Sequence, residues 1–458
     1  MSDELAFASA LDLAARIRAR ELSPAELTAL YLERIERLDP QLNAYVTVVD
    51  EPEAPRDGPF HGVPIPIKDL SETAGIRTTY SCKAFARNVP DFDASAVRKI
   101  RDAGFTIIGK TNTPEFGTIA MTESELNGDC RNPWDTSRTP GGSSGGAAAA
   151  VAAGLAPMAH GSDGGGSIRI PASCCGLFGI KPSRGRISPA PFVSGSLGLG
   201  TSGPITRTVR DAAALLDVMS GNEPGDFYVA PTPERSFLAE ADEAPGRLRI
   251  AVTTAPPSPV PVDPTCAAAA GAAADLLTVL GHDVVEATPP WQTDEMIVHF
   301  IRIWQVGPAT AGVDDLSLLE PINRMLAEGA RTTPSPQYVS SVMQLQQIAR
   351  RVAAFWRDVD IVVTPTLALP PVPVGWTWAE ADGDPYRAFA SQTLFTPFTP
   401  LINVTGQPAM SVPLHWSDEG LPIGVQFIGR PFAESTLIRL AAQLEQARPW
   451  AGRRPPVS

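Results

Sequence analysis

Histidine and cysteine are scarce in this 458-residue chain, with five of each. The histidines (His61, His160, His282, His299, His415) are scattered and make no H-E-x-x-H pair, so a hydrolytic metal site would have to be assembled from distant pieces. The cysteines (Cys82, Cys130, Cys174, Cys175, Cys266) are odd in number and form no C-x-x-C. That argues against a disulfide framework and a zinc site, and favours a reducing, cytoplasmic setting. No run of about 18 apolar residues is present, and Met1-Ser2-Asp3-Glu4 is acidic where a signal peptide needs a basic start, so neither membrane insertion nor export is expected. Positive charge is also short: 37 Lys and Arg stand against 50 Asp and Glu, a net charge of −13, which disfavours nucleic acid and anionic membranes as partners.

What is present fits a folded protein with a sizeable buried core. Hydrophobic residues make up 43% and charged residues 19%, enough for a sizeable core and too little polarity for disorder. No linker-like stretch divides the chain, so one domain over residues 1–458 is expected, monomeric or homodimeric. Ser23-Pro24-Ala25-Glu26 is a capping box with proline at the first helical position, followed by Leu27, Leu30, Tyr31, Ile35 and Leu38 at helical spacing. Further on, 94–104 (helical) precedes 105–108 (extended), and 265–281 (helical) precedes 283–286 (extended). Apolar positions from Val342 to Val359 predict a helix running into the strand 360–364, and 423–428 and 435–445 read as a strand and a closing helix. This alternation predicts an α/β protein with a central, partly parallel sheet.

Two motif matches fail on context. Gly104 to Thr111 spells G-x-x-x-x-G-K-T, but a phosphate-binding loop must wrap its N–H groups around phosphate, and Phe105-Thr-Ile-Ile108 reads as a strand. Gly198-x-Gly200-x-x-Gly203 spells a dinucleotide fingerprint, yet no apolar strand precedes it and Pro204 follows, so it is read as a surface loop. No nucleotide or other cofactor is expected.

Between Arg138 and Gly203 the chain turns rich in Gly, Ser and Ala. Gly141-Gly-Ser143-Ser144-Gly-Gly146 and Asp163-Gly164-Gly165-Gly166-Ser167-Ile-Arg169 each read alone as glycine turns. Together they describe a nest of backbone N–H groups for a negative oxygen with a serine hydroxyl at its edge. These residues resemble the amidase signature family of serine hydrolases. Gly62-Val-Pro-Ile-Pro-Ile-Lys68-Asp69 and Gly109-Lys110-Thr111-Asn112 match further motifs of that family, the latter explaining the false phosphate-loop match. Lys181-Pro182, Thr364-Pro365-Thr366, Gly406-Gln-Pro408 and Pro422-Ile-Gly424 fit as well, so the likeness runs through most of the chain.

The resemblance implies an amidase signature fold, a central mixed, twisted β-sheet covered by helices on both faces. Its catalytic core would span about 60–210 and a variable pocket region about 285–356. It implies Ser167 as nucleophile, Ser143 as bridging serine after a cis peptide at Gly142–Ser143, and Lys68 as base. With no histidine at the motifs, a lysine stripped of its proton is the available activator, and apolar neighbours Ile65, Ile67 and Leu70 would depress its pKa. The oxyanion donors would be the N–H groups of Gly164, Gly165, Gly166 and Ser167, while Ser144, Asp163 and Arg169 would support the loops. Glycine at 164 departs from the commoner threonine or isoleucine and is expected to loosen the nest without removing a donor. Cys174 and Cys175 read as small core residues, having no electropositive neighbour in sequence.

Two other readings stand beside this one. Gly142-Ser143-Ser144-Gly145-Gly146 also fits the G-x-S-x-G elbow of α/β-hydrolases with Ser144 as nucleophile, but that elbow needs a strand before it and 132–140 is loop-like. A partner-dependent amidotransferase subunit shares the signature too. The run from Asp163 to Cys175 resembles the branch with 6-aminohexanoate cyclic-dimer hydrolases, aryl acylamidases and urethanases. It implies amides or carbamates, apolar or aryl, and some esters. Trp291, Phe300, Trp304, Met325 and Met343 supply large apolar side chains in the variable region, some of which are expected to line the cleft and others the core.

Overall fold

The computed structural model describes residues 2–192, 196–292 and 295–458; Thr293 and Asp294 of the expected variable region lie outside them. Among the described residues eleven strands form one sheet: β1 (Tyr45–Val48), β2 (Pro64–Lys68), β3 (Thr106–Thr111), β4 (Met158–Asp163), β5 (Phe178–Lys181), β6 (Thr201–Thr206), β7 (Arg249–Val252), β8 (Asp283–Glu286), β9 (Ile361–Pro365), β10 (Ala409–Trp416) and β11 (Pro422–Gly429). Their order is β1-β3-β2-β4-β6-β5-β10-β11-β9-β7-β8. β2 runs parallel to β3 and β4, and β7 to β8 and β9, while the remaining pairs are antiparallel. The sheet is therefore mixed.

Alternation along the strands shows that both faces are covered. In β9, Ile361 and Val363 join one apolar cluster and Val362 another; in β7, Ile250 and Ala251 divide the same way. The first face carries the helices Pro24–Leu42, Val209–Met219, Pro264–Val279 and Glu434–Ala447. The second carries Gly145–Ala152, Arg169–Cys175, Glu295–Trp304 and Ser335–Ala353. Helix Pro24–Leu42 starts where the capping box places it: Glu26 N donates to Ser23 Oγ at 3.2 Å and Ser23 N to Glu26 Oε2 at 3.0 Å. Leu27, Tyr31, Ile35 and Leu38 are buried along one stripe.

The P-loop match is a strand, since β3 runs straight through Gly109-Lys110-Thr111. Lys110 is buried and donates to Ser71 O, Thr73 Oγ1 and Thr78 Oγ1, a strut between loops. The expected surface loop at 198–203 is corrected in its second half. Thr201 onward is β6, hydrogen-bonded between β4 and β5, with Gly203 opposite Gly161. Glycine and proline hide the apolar alternation there, and the partner strands that hold the segment are distant in sequence. The helix expected from Val342 begins earlier, at Ser335, and its last turn tightens into the 3-10 segment Ala354–Arg357. Among the described residues no helix is long and apolar enough to cross a membrane.

Candidate active site

Parallel pairing of β2 and β4, with Ile67 opposite His160, brings their C-terminal ends together. Lys68 ends one strand, and Ser162 and Asp163 end the other. Lys68 is fully buried, with Nζ 2.8 Å from Ser143 Oγ, 3.1 Å from Ser162 Oγ and 3.4 Å from Ser162 O. Burial disfavours its ammonium form and pulls the pKa down to about 7, against the opposing pull of the Asp163 charge. His160 beside it is buried and held neutral, its pKa lowered to about 3 by desolvation and then by the Lys68 charge.

Ser143 arrives from the loop ahead of helix Gly145–Ala152, after a cis Gly142–Ser143 peptide, as the resemblance implies. Ser144 is buried: its Oγ donates to Ser162 O at 3.1 Å and accepts from Ser162 N at 3.3 Å, while its own N donates to Ser167 O at 3.2 Å. It ties its own loop to the end of β4 and to the turn that carries Ser167. Ser167 sits in the turn between β4 and helix Arg169–Cys175 and borders an apolar cavity. Among the described residues its Oγ makes no hydrogen bond, to Ser143 Oγ or to any other group. Such contacts often close only on substrate.

The turn is fixed from beneath. Asp163 and Arg169 form a fully buried pair, Oδ1 to Nη2 at 2.9 Å and Oδ2 to Nε at 2.9 Å. Burial alone would raise the Asp163 pKa, but the guanidinium and Asn403 hold it well below the carboxylate range. Arg169 also donates to Gln426 Oε1 at 2.7 Å and Asn403 Oδ1 at 2.7 Å, so the buried guanidinium keeps hydrogen-bond partners beyond Asp163. The four expected oxyanion donors are not equivalent: Gly166 N donates to Asp163 Oδ1 at 2.8 Å and is taken up by the scaffold. The glycine there has a different reason: its φ is +131°, and a Cβ at this position would stand 2.3 Å from Thr399 Oγ1. Gly164, Gly165 and Ser167 keep their N–H groups free of partners among the described residues. Thr399 Oγ1 donates to Gly165 O at 2.7 Å and orients that stretch.

The cavity over Ser167 is walled by Ile119, Ile170, Phe300, Trp304, Phe389 and Pro397, with Thr118 and Gln392 as polar edges. Of the five large apolar side chains in the variable region, Phe300 and Trp304 reach it. Trp291 is core, its Nε1 donating to Ala255 O at 3.1 Å; Met325 packs behind the wall, and Met343 faces solvent.

Residues 26–438 match the sequence profile of the family described as Amidase. A putative amidase, AmiB2, of Mycobacterium tuberculosis is 42% identical over 99% of both chains. The 6-aminohexanoate-cyclic-dimer hydrolase of Paenarthrobacter ureafaciens is 40% identical over 96% of this chain and 94% of its own. A solved structure of 6-aminohexanoate cyclic dimer hydrolase in complex with substrate superposes with a TM-score of 0.94 at 37% identity, covering 99% of each chain. The chain belongs to the amidase family. It is an amide hydrolase with that family's fold.

In this amidase, several site residues escape a reading of the sequence. Ser162, whose Oγ accepts from Lys68 Nζ at 3.1 Å, adjoins the Asp163–Arg169 motif but gives no pattern of its own. Asn403, Thr399 and Gln426 reach the Asp163–Arg169 pair from more than two hundred residues away. Residues 389–400 of the cavity wall fall outside the expected variable region, and only the helical breaks at Pro385 and Pro400 hint at a special segment. Among the described residues, no three His, Cys, Asp or Glu side chains converge as a metal-binding group.

Proposed function

We propose that this amidase hydrolyses neutral apolar or aryl amides, and carbamates and esters presenting the same carbonyl, through a Ser167–Ser143–Lys68 triad. Neutral Lys68 draws the Ser143 proton as Ser143 takes that of Ser167, and Ser167 Oγ bonds to the carbonyl carbon. Gly164, Gly165 and Ser167 N–H groups meet the developing oxyanion. The C–N bond then breaks as the proton returns through Ser143 to the departing amine. Water attacks the acyl-enzyme by the same relay, releasing the acid and restoring Ser167.

The observation that carries this reading is the 2.8 Å contact between Ser143 Oγ and a fully buried lysine whose pKa falls to about 7. A base with a pKa near the working pH is what general-base activation of a hydroxyl needs. The apolar wall supports neutral substrates, because among the described residues no charged side chain borders the cavity. A matched panel tests the substrate range: an anilide, an aryl carbamate, a linear aliphatic amide and a charged amide. The anilide and carbamate are expected to lead in kcat/KM; a preference of tenfold or more for the charged amide, about 1.4 kcal/mol, would overturn the apolar-site reading.

A further inference from the structure

Residue type alone suggests that glycine at 164 loosens the nest, and the geometry around it says otherwise. A Cβ built on Gly164 would stand 2.9 Å and 3.1 Å from two atoms at the far edge of the Trp304 indole; one built on Gly165 would meet Phe300 at 3.6 Å. The two rings stack with centroids 5.2 Å apart and planes inclined by 21°. Trp304 is pinned, its Nε1 donating to Thr118 O at 3.1 Å. An aromatic pair from the helix Glu295–Trp304 thus lies directly on the backbone that carries the proposed oxyanion donors, in space that a side chain at 164 would claim.

We propose that Trp304 occupies the place left by Gly164 and sets acyl-side specificity, forming with Phe300 the surface on which a planar apolar group bonded to the scissile carbonyl stacks. This rests on Ser167 being the nucleophile, which fixes where the carbonyl sits. A flat ring held over the donors matches a planar acyl group by offset stacking and excludes water from the oxyanion side, whereas a puckered ring of similar size loses that contact. It follows that a larger residue at 164 and an indole at 304 cannot share the space.

The experiment compares the 4-nitroanilides of benzoic and cyclohexanecarboxylic acid, which share a leaving group. Wild type is expected to favour the benzoyl compound by about tenfold or more in kcat/KM, mostly through KM; Trp304→Ala should bring that ratio below about threefold, and Trp304→Phe should retain most of it. Gly164→Ala should lose activity on both substrates, and the double variant Gly164→Ala/Trp304→Ala should recover at least tenfold over Gly164→Ala alone. An unchanged benzoyl-to-cyclohexyl ratio in Trp304→Ala overturns the specificity claim, and a double variant no better than Gly164→Ala overturns the shared-space claim. If Gly164→Ala does not fold, the ratios in the two Trp304 variants decide. Ser167→Ala is assayed alongside: residual turnover there brings down the triad reading, while an inactive Ser167→Ala with an unmoved ratio brings down this inference alone.

Discussion

The floor and the wall of the cavity are built on different principles. The floor, from Lys68 through Ser143 and Ser144 to the Asp163–Arg169 turn, is polar and buried, and its parts are fixed by directional bonds of 2.7–3.4 Å. The wall, from Phe300 and Trp304 to Phe389 and Pro397, is apolar and held by packing, with the Trp304 Nε1 bond as its anchor. A network of matched charges tolerates little change, because each lost partner strands another buried polar group. A packed apolar surface responds to volume and does so gradually. In the proposed reading, chemistry and selectivity are therefore separable: the floor specifies the reaction, and the wall selects what enters.

The contrast is strongest at the proposed nucleophile. Ser167→Ala is expected to cut kcat by about 10⁴-fold or more while the melting temperature stays near wild type, with Ser143→Ala and Lys68→Ala losing most activity as well. Turnover near wild type in a folded Ser167→Ala would break the floor's assignment. Next comes the buried pair. Arg169→Met leaves Asp163 charged and unmatched and should cost about 3–5 kcal/mol of stability by urea unfolding. Phe300→Leu in the wall should cost about 1 kcal/mol. Similar losses in the two would erase the distinction.

Lys68 offers a test with a definite sign. Its folded pKa, about 7, lies below its ordinary value of 10.5, so between those pH values the unfolded chain binds more protons and stability rises with pH. The burden of the buried amine is full below about pH 7 and fades towards pH 10.5. Lys68→Met should therefore stabilise the protein more at pH 7 than at pH 9.5, read from melting temperatures, while abolishing activity. In the wild type, kcat/KM should rise through about pH 7 and level off above it; a profile flat down to about pH 5 would point to a carboxylate base. The smallest expected effects separate floor from wall by kinetic parameter. Thr399→Val removes the bond to Gly165 O and should lower kcat several-fold with little change in KM, whereas Phe300→Leu should act mainly on KM.

How much of this is legible in sequence follows the same division. Helix Pro24–Leu42 is readable because its capping box and apolar stripe are local, and the floor's Ser143 and Ser167 because glycine and serine cluster around them, whereas Lys68 is flagged only by the likeness of Gly62–Asp69 to a family motif. Gly166 joins the nest on residue type alone; only the fold reveals that its N–H turns to Asp163. β6 escapes detection because Gly203 and Pro204 disguise a strand whose order comes from β4 and β5. Asn403 and Gln426 have no local pattern to betray them, since their role is set by where the sheet and a later helix bring them. The wall is half visible: aromatic content flags Phe300 and Trp304, but periodicity does not distinguish them from Trp291 in the core.

If Ser167 is the nucleophile, activated through Ser143 by Lys68, it must become acylated during turnover. Incubation with a slowly released aryl carbamate, acid quenching during the initial burst of phenol, and peptide mass mapping read that event at the residue itself. A carbamoyl mass increment is expected on Ser167, absent in Ser167→Ala and formed faster as pH rises through about 7. The same increment on Ser143 or Ser144, or on Ser167 at a rate unchanged by Lys68→Ala, would contradict the triad.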